Sequence, residues 1–161
     1  MSSEPVELRV DGACVVLDPR DGGRITSLAV AGVELLGGVG TGVIEHGSFL
    51  MAPWAGRIRD GVLHVDGVSH QLPTVRTHPH AGHGLVMDRP WEVLEASAAH
   101  LRITCDLDSR WPFPGHVVQE FRLEGGHLDQ QVEVHAEDAP FPATVGWHPW
   151  FRRALASGEV A

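Results

Sequence analysis

The sequence predicts an all-β protein built as an antiparallel β-sandwich, and three observations carry that reading. The 161 residues hold 19 Gly and 11 Pro, and such frequent punctuation favours short strands and tight turns over long helices. Apolar runs are separated by Asp-Gly, Ala-Gly and Gly-Gly steps at the spacing expected of hairpins. Leu101, Ile103, Cys105 and Leu107 alternate with Arg102, Thr104, Asp106 and Asp108, a period of two that buries one face of a strand and wets the other.

Taken in order, Val6–Val10 and Ala13–Leu17 flank Asp11-Gly12, where glycine tolerates the positive φ of a type I′ turn. Ile25–Val30 and Val33–Leu36 flank Ala31-Gly32. Val62–Val65 and Val68–Leu72 flank Asp66-Gly67. Trp91–Ala96 and Leu101–Leu107 form a further pair. His116–Leu123 and Leu128–His135 flank Glu124-Gly125-Gly126-His127, and Ala143–Trp147 reads as one more strand. Gly37–Gly42 and Thr74–Gly84 read as loops, and only Arg152–Ala156 hints at a helical turn. These elements meander through hairpins as antiparallel sheets do. No boundary divides the chain, so residues 1–161 are expected to form one domain, the size of a typical one.

Composition excludes several function classes. Hydrophobic residues make up 43%, enough for a core, and the formal net charge is −9. That balance argues against nucleic acid or an anionic membrane surface as partner, because phosphate needs clustered Lys and Arg. Charge is spread along a chain of ordinary apolar content, which argues against disorder. Cys14 and Cys105 lie far apart and set neither a disulfide framework nor a zinc site. The N-terminus shows no secretory leader pattern, and no apolar run approaches the roughly 18 residues of a membrane helix. The expectation is a soluble protein of the reducing cytoplasm.

Two of the histidine contexts could carry chemistry. His64, His70, His100, His116, His127 and His135 sit in ordinary strand or hairpin positions. His78-Pro79-His80-Ala81-Gly82-His83-Gly84 could supply three nitrogens to a metal with an open position. Against this, Pro79 spoils a regular strand there, and these residues read more readily as solvated loop histidines. In Gly146-Trp147-His148-Pro149-Trp150-Phe151, proline holds His148 extended and aromatic neighbours shelter it. A sheltered imidazole suits a general acid or base, and it also suits a structural role.

Three segments, in order, carry a resemblance. They are Gly47-Ser48-Phe49-Leu50-Met51-Ala52-Pro53-Trp54-Ala55-Gly56-Arg57-Ile58-Arg59-Asp60-Gly61 with its continuation to Leu72, His83-Gly84-Leu85-Val86-Met87-Asp88-Arg89-Pro90-Trp91, and Gly146 to Phe151. Gly22 to Leu28, Phe113-Pro114-Gly115 and the strand to Leu123 fit in register. Together they resemble the aldose 1-epimerases, or galactose mutarotases, over nearly the whole chain. The resemblance implies a large galactose mutarotase-like antiparallel supersandwich with a sugar cleft on one sheet. It implies acid/base ring opening that interconverts the α and β anomers of free aldohexoses, with no cofactor. By the same resemblance His148 is the general acid at the ring oxygen, His83 hydrogen-bonds that region, and Arg57 grips sugar hydroxyls with its planar fork. Trp54 or Trp150 could lie against the sugar or pack the core.

The sequence departs from the family pattern at Gly56, where many relatives have asparagine, and at Met87, where many have arginine. The family's C-terminal glutamate base, and an aspartate before it, have no counterpart before Ala161. The expectation is therefore a sandwich incomplete at its C-terminus, weak or inactive alone, and prone to self-association through exposed strand edges. Three alternatives stand beside the leading reading. One is a 1-epimerase for hexose 6-phosphates, with Arg57, Arg59, Arg76 and Arg89 as cations for phosphate. Another is a non-catalytic sugar-binding module, and the third is a cupin-like metal enzyme using His78, His80 and His83.

Overall fold

A computed structural model describes residues 4–74 and 78–155. Its strands, in chain order, are β1 (Val6–Val10), β2 (Ala13–Asp18), β3 (Arg24–Val30), β4 (Val33–Glu34), β5 (Ser48–Met51), β6 (Arg57–Ile58), β7 (Val62–Val65), β8 (Val68–Gln71), β9 (Ala81–Gly82), β10 (Glu92–Ala96), β11 (His100–Asp106), β12 (Gly115–Glu124), β13 (His127–Ala136) and β14 (Gly146–Pro149). A 3-10 turn, Arg59–Gly61, is the only helical element among the described residues. No helix there is long and apolar enough to cross a membrane.

The hairpin chemistry read from the sequence is realised in the backbone. Asp11-Gly12, Ala31-Gly32, Asp66-Gly67 and Gly125-Gly126 all have positive φ at both turn residues, as a type I′ turn requires. These turns join β1–β2, β3–β4, β7–β8 and β12–β13, all paired antiparallel. One sheet has the order β1-β2-β3-β5-β14, with β4 paired to β3, and the second has the order β10-β11-β12-β13. Two small ribbons, β6-β9 and β7-β8, complete the set.

The two larger sheets bury one shared core. Leu8, Val15, Leu17, Ile25 and Leu50 from the first meet Leu101, Ile103, Val117 and Phe121 from the second. The alternation read in β11 holds: Leu101, Ile103 and Cys105 are buried while Arg102 and Thr104 are only half-buried. A second cluster, of Trp54, Leu72, Ala81, Leu85 and Trp111, packs separately.

Some elements differ from expectation. β5, β6 and β9 carry no hairpin signal in the sequence, because their partners β14, β9 and β6 are distant along the chain. The last strand is Gly146–Pro149 rather than Ala143–Trp147. The Thr144 N–H donates to the Pro53 carbonyl (3.0 Å) and its hydroxyl accepts from the Ala55 N–H (3.1 Å), so that stretch is held by the loop after β5. Trp91 lies just outside β10, buried, with its indole N–H on the Val86 carbonyl at 3.1 Å. Arg152–Leu155 are not helical, and Ala156 lies outside the described residues.

Candidate active site

β5 and β14 present the first part of the site. Phe49 and Met51 are two residues apart in β5 and share a face, while Leu50 between them enters the core. The antiparallel register sets His148 opposite Phe49 and Gly146 opposite Met51. The His148 ring stacks on the buried Phe49 ring at 4.7 Å with planes 10° apart. Its Nδ1 is buried without a partner among the described residues.

The β6–β9 ribbon presents the second part, with Arg57 opposite Gly82 and His83 directly after it. The His83 N–H donates to the Gly56 carbonyl at 2.8 Å, and His83 itself has φ of +64°. A non-glycine residue at such a φ is uncommon and clusters at functional sites. The following residue must be glycine, because a Cβ at Gly84 would meet the Ala52 carbonyl oxygen at 2.1 Å. The His83 ring ends 5.5 Å from that of His148, at 81°, and 6.2 Å from that of Phe49. Gly56 has φ of +72°; asparagine, expected there by resemblance, is the side chain that best tolerates this conformation, so the departure keeps the backbone requirement.

A cavity of about 530 Å³ opens here, lined by Trp54, Arg57, His80, His83, Asp88 and Arg110 among others. Arg57 is exposed and makes no hydrogen bond or ion pair with the described residues, whereas Arg110 is bound to Asp88 (3.1 Å) and Asp108 (3.0 Å). Burial, then the charges of His148 and Arg57, hold the His83 imidazole below its ordinary pKa, favouring its neutral form. Trp54 lines the cavity but is a core residue, 4% exposed, with its indole N–H on the Ala81 carbonyl and its ring stacked on Trp111.

The three expected site residues thus come together: Arg57 and His83 line one cavity, and His148 on β14 sits against His83. His78, His80 and His83 all line the cavity, with the His78 and His80 rings 5.1 Å apart, but the hydrogen bonds of the His78 and His80 rings are to the backbone and not to a shared point. His80 Nδ1 accepts the Asp60 N–H at 3.0 Å, and His78 Nδ1 accepts the His80 N–H at 3.2 Å. Among the described residues no group of three or more His, Cys, Asp or Glu side chains is arranged to hold a metal ion.

Sequence reasoning missed Arg24. Its side chain is fully buried and donates to the carbonyls of Asp21 (2.9 Å), His46 (3.2 Å) and Met87 (3.1 Å). It pairs with the Asp21 carboxylate at 3.0 Å and lies 5.6 Å from the centre of the Phe49 ring. It is the lone basic residue of an otherwise apolar or hydroxyl-bearing strand, the one signal that could have marked it.

The aldose 1-epimerase family profile matches residues 6–160. The chain belongs to the aldose 1-epimerase family. This aldose 1-epimerase homologue is 26% identical over 119 residues to the uncharacterized protein YihR of Escherichia coli K12, covering 71% of this chain and 39% of that protein. It superposes on a candidate aldose 1-epimerase of E. coli K12 with a TM-score of 0.82 at 24% identity, over 92% of this chain and 52% of that one. For the Slr1438 protein of Synechocystis sp. PCC 6803 the values are 0.78 and 23%, over 92% and 54%. The chain therefore spans about half the length of the solved relatives and less of the curated one.

Proposed function

We propose that the cleft binds a free aldohexose and serves the ring-opening reaction that interconverts its α and β anomers. The observation that carries this reading is the meeting of the His83 and His148 rings, 5.5 Å apart, beside an unpaired guanidinium and a cavity of about 530 Å³. In the reaction, the C1 hydroxyl loses its proton to a base and the ring oxygen gains one from an acid. The bond from C1 to the ring oxygen breaks, C1 rotates, and reclosure returns both protons. His148 supplies the acid at the ring oxygen. Its Nδ1 is buried, so contact with substrate falls to Nε2. His83 hydrogen-bonds the same region, and Arg57 holds sugar hydroxyls.

The carboxylate lining this cavity is Asp88, and both its oxygens are engaged by Arg110, at 3.1 and 3.3 Å. The described cleft thus offers no free carboxylate base. The expected outcome is sugar binding with little or no acceleration by the 161-residue chain alone.

Charge in the cleft favours a neutral sugar over a hexose phosphate. Arg110 is neutralised by Asp88 and Asp108, and Arg89 pairs with Asp108 at 3.5 Å, leaving Arg57 as the lining arginine free to bind. Arg76 lies outside the described residues.

Polarimetry on freshly dissolved α-galactose and α-glucose, with calorimetry on the same sugars, tests the proposal. Binding that is lost in Arg57→Ala and His148→Ala supports it. Binding with little or no acceleration is the expected result, and substantial acceleration by the 161-residue chain overturns the reading that its described cleft lacks a base. Tighter binding of glucose 6-phosphate than of glucose overturns the preference for neutral sugars, and no binding of either sinks the proposal altogether.

A further inference from the structure

His83 Nδ1 lies 3.0 Å from the Met51 sulfur, within hydrogen-bond reach for that atom. A thioether has lone pairs and no proton to give, so it can only accept. Two lone pairs facing each other at this distance would repel, so the contact is attractive only when Nδ1 carries the hydrogen. Burial first, then the neighbouring His148 on β14 and Arg57 on β6, favour a neutral ring, and a neutral imidazole bears one proton. With that proton on Nδ1, Nε2 is bare.

The backbone is arranged to hold this contact. Met51 ends β5 and pairs with Gly146, where an added Cβ would lie 3.2 Å from the Met51 methyl. The missing side chain at Gly146 is the space in which the thioether methyl rests. His83 reaches the sulfur from a left-handed backbone conformation, with its N–H anchored on Gly56.

We propose that Met51 is a positioning residue that fixes His83 in the Nδ1–H tautomer, leaving Nε2 as a hydrogen-bond acceptor at the cleft. Resting on the sugar reading above, this gives the two imidazoles opposite roles. His83 accepts a hydrogen bond from a sugar hydroxyl and does not donate to the ring oxygen, and donation there falls to His148. Specificity follows, because a sugar lacking that hydroxyl leaves the Nε2 lone pair unmatched.

Long-range ¹H–¹⁵N spectra of the uniformly ¹⁵N-labelled 161-residue chain test the tautomer without any assay of activity, with the His83 signals assigned by their loss in His83→Asn. Spectra are taken above about pH 8, where histidine is neutral. The expected pattern is a protonated Nδ1 and an unprotonated Nε2. In Met51→Leu the proton shifts to Nε2. In Met51→Gln, whose amide oxygen can accept, it returns to Nδ1. A packing role alone predicts no such restoration. A wild-type His83 with its proton on Nε2 overturns the proposal, as does a Met51→Leu variant with native signal dispersion and an unchanged tautomer. If Met51→Leu fails to fold, the wild-type and Met51→Gln spectra decide.

Galactose titrated into the same samples separates the two ideas. A fixed Nδ1–H tautomer with no response of His83 to galactose keeps the tautomer and fails the sugar reading. Where both hold, Met51→Leu weakens galactose binding roughly 2- to 10-fold, the value of one ordinary hydrogen bond.

Discussion

Gly84 shows how a single residue sets the site. Its φ is +78° and its α-hydrogen faces the Ala52 carbonyl, leaving no room for a methyl. Gly84→Ala is expected to destabilise the fold by more than about 1 kcal/mol, from the φ penalty plus the clash, as a lowered denaturant midpoint. Arg24 is the second such residue. Replacing it with Met keeps the bulk but strips hydrogen bonds from the His46 and Met87 carbonyls. A loss of roughly 1–3 kcal/mol for each acceptor left unpaired is expected, again read in denaturant. His83 gives a pH dependence. Its folded pKa is depressed, so the unfolded chain binds more protons as pH falls. This contribution is fully present above the unfolded value near 6.5 and is lost as pH falls through the folded one. Denaturant midpoints measured across that window should fall with pH, and the slope should flatten in His83→Gln.

At the scale of elements, strand legibility follows the distance between partners. The hairpins β1–β2, β7–β8 and β12–β13 were readable because turn and strands lie within one short stretch. In β11 the alternation also named the buried face, and Ile103 is fully buried against the opposite sheet. Ile103→Ala should cost about 2–5 kcal/mol by cavity formation, checked by equilibrium unfolding, while the half-buried neighbour Thr104→Ala should cost much less. The pairing of β5 with β14 joins residues about a hundred positions apart, and no local pattern announces it. Yet that pairing seats His148 on Phe49. His83 and Arg57 line one cavity for a similar reason, through the ribbon of β6 with β9.

For the whole molecule, the two larger sheets share one core, and each ends in a strand with a single partner among the described residues. β13 bonds only to β12 over its 10 residues, and β14 bonds only to β5. Trp147 and Phe151 are 36% and 58% exposed near the second edge. Open edges with apolar neighbours template further pairing, so the self-association expected from the sequence belongs at this scale. Sedimentation velocity over a hundredfold range of protein concentration checks it: a rising mean sedimentation coefficient is expected, and a constant monomer value removes the expectation.

By itself the sequence determined the strand class, the hairpin turns and the buried face of β11, and it nominated three candidate site residues. The first three are local matters of period and φ. The candidate site residues came from the family resemblance carried by the order of motifs, which needs no coordinates. Only the tertiary structure decided which side chains touch. It stacked His148 on Phe49, buried Arg24 beside that ring, tied His80 to the Asp60 backbone, and brought a thioether to Nδ1. Those contacts join residues remote in sequence, and their geometry depends on sheet register and on the space left at Gly84 and Gly146, which no periodicity along the chain records.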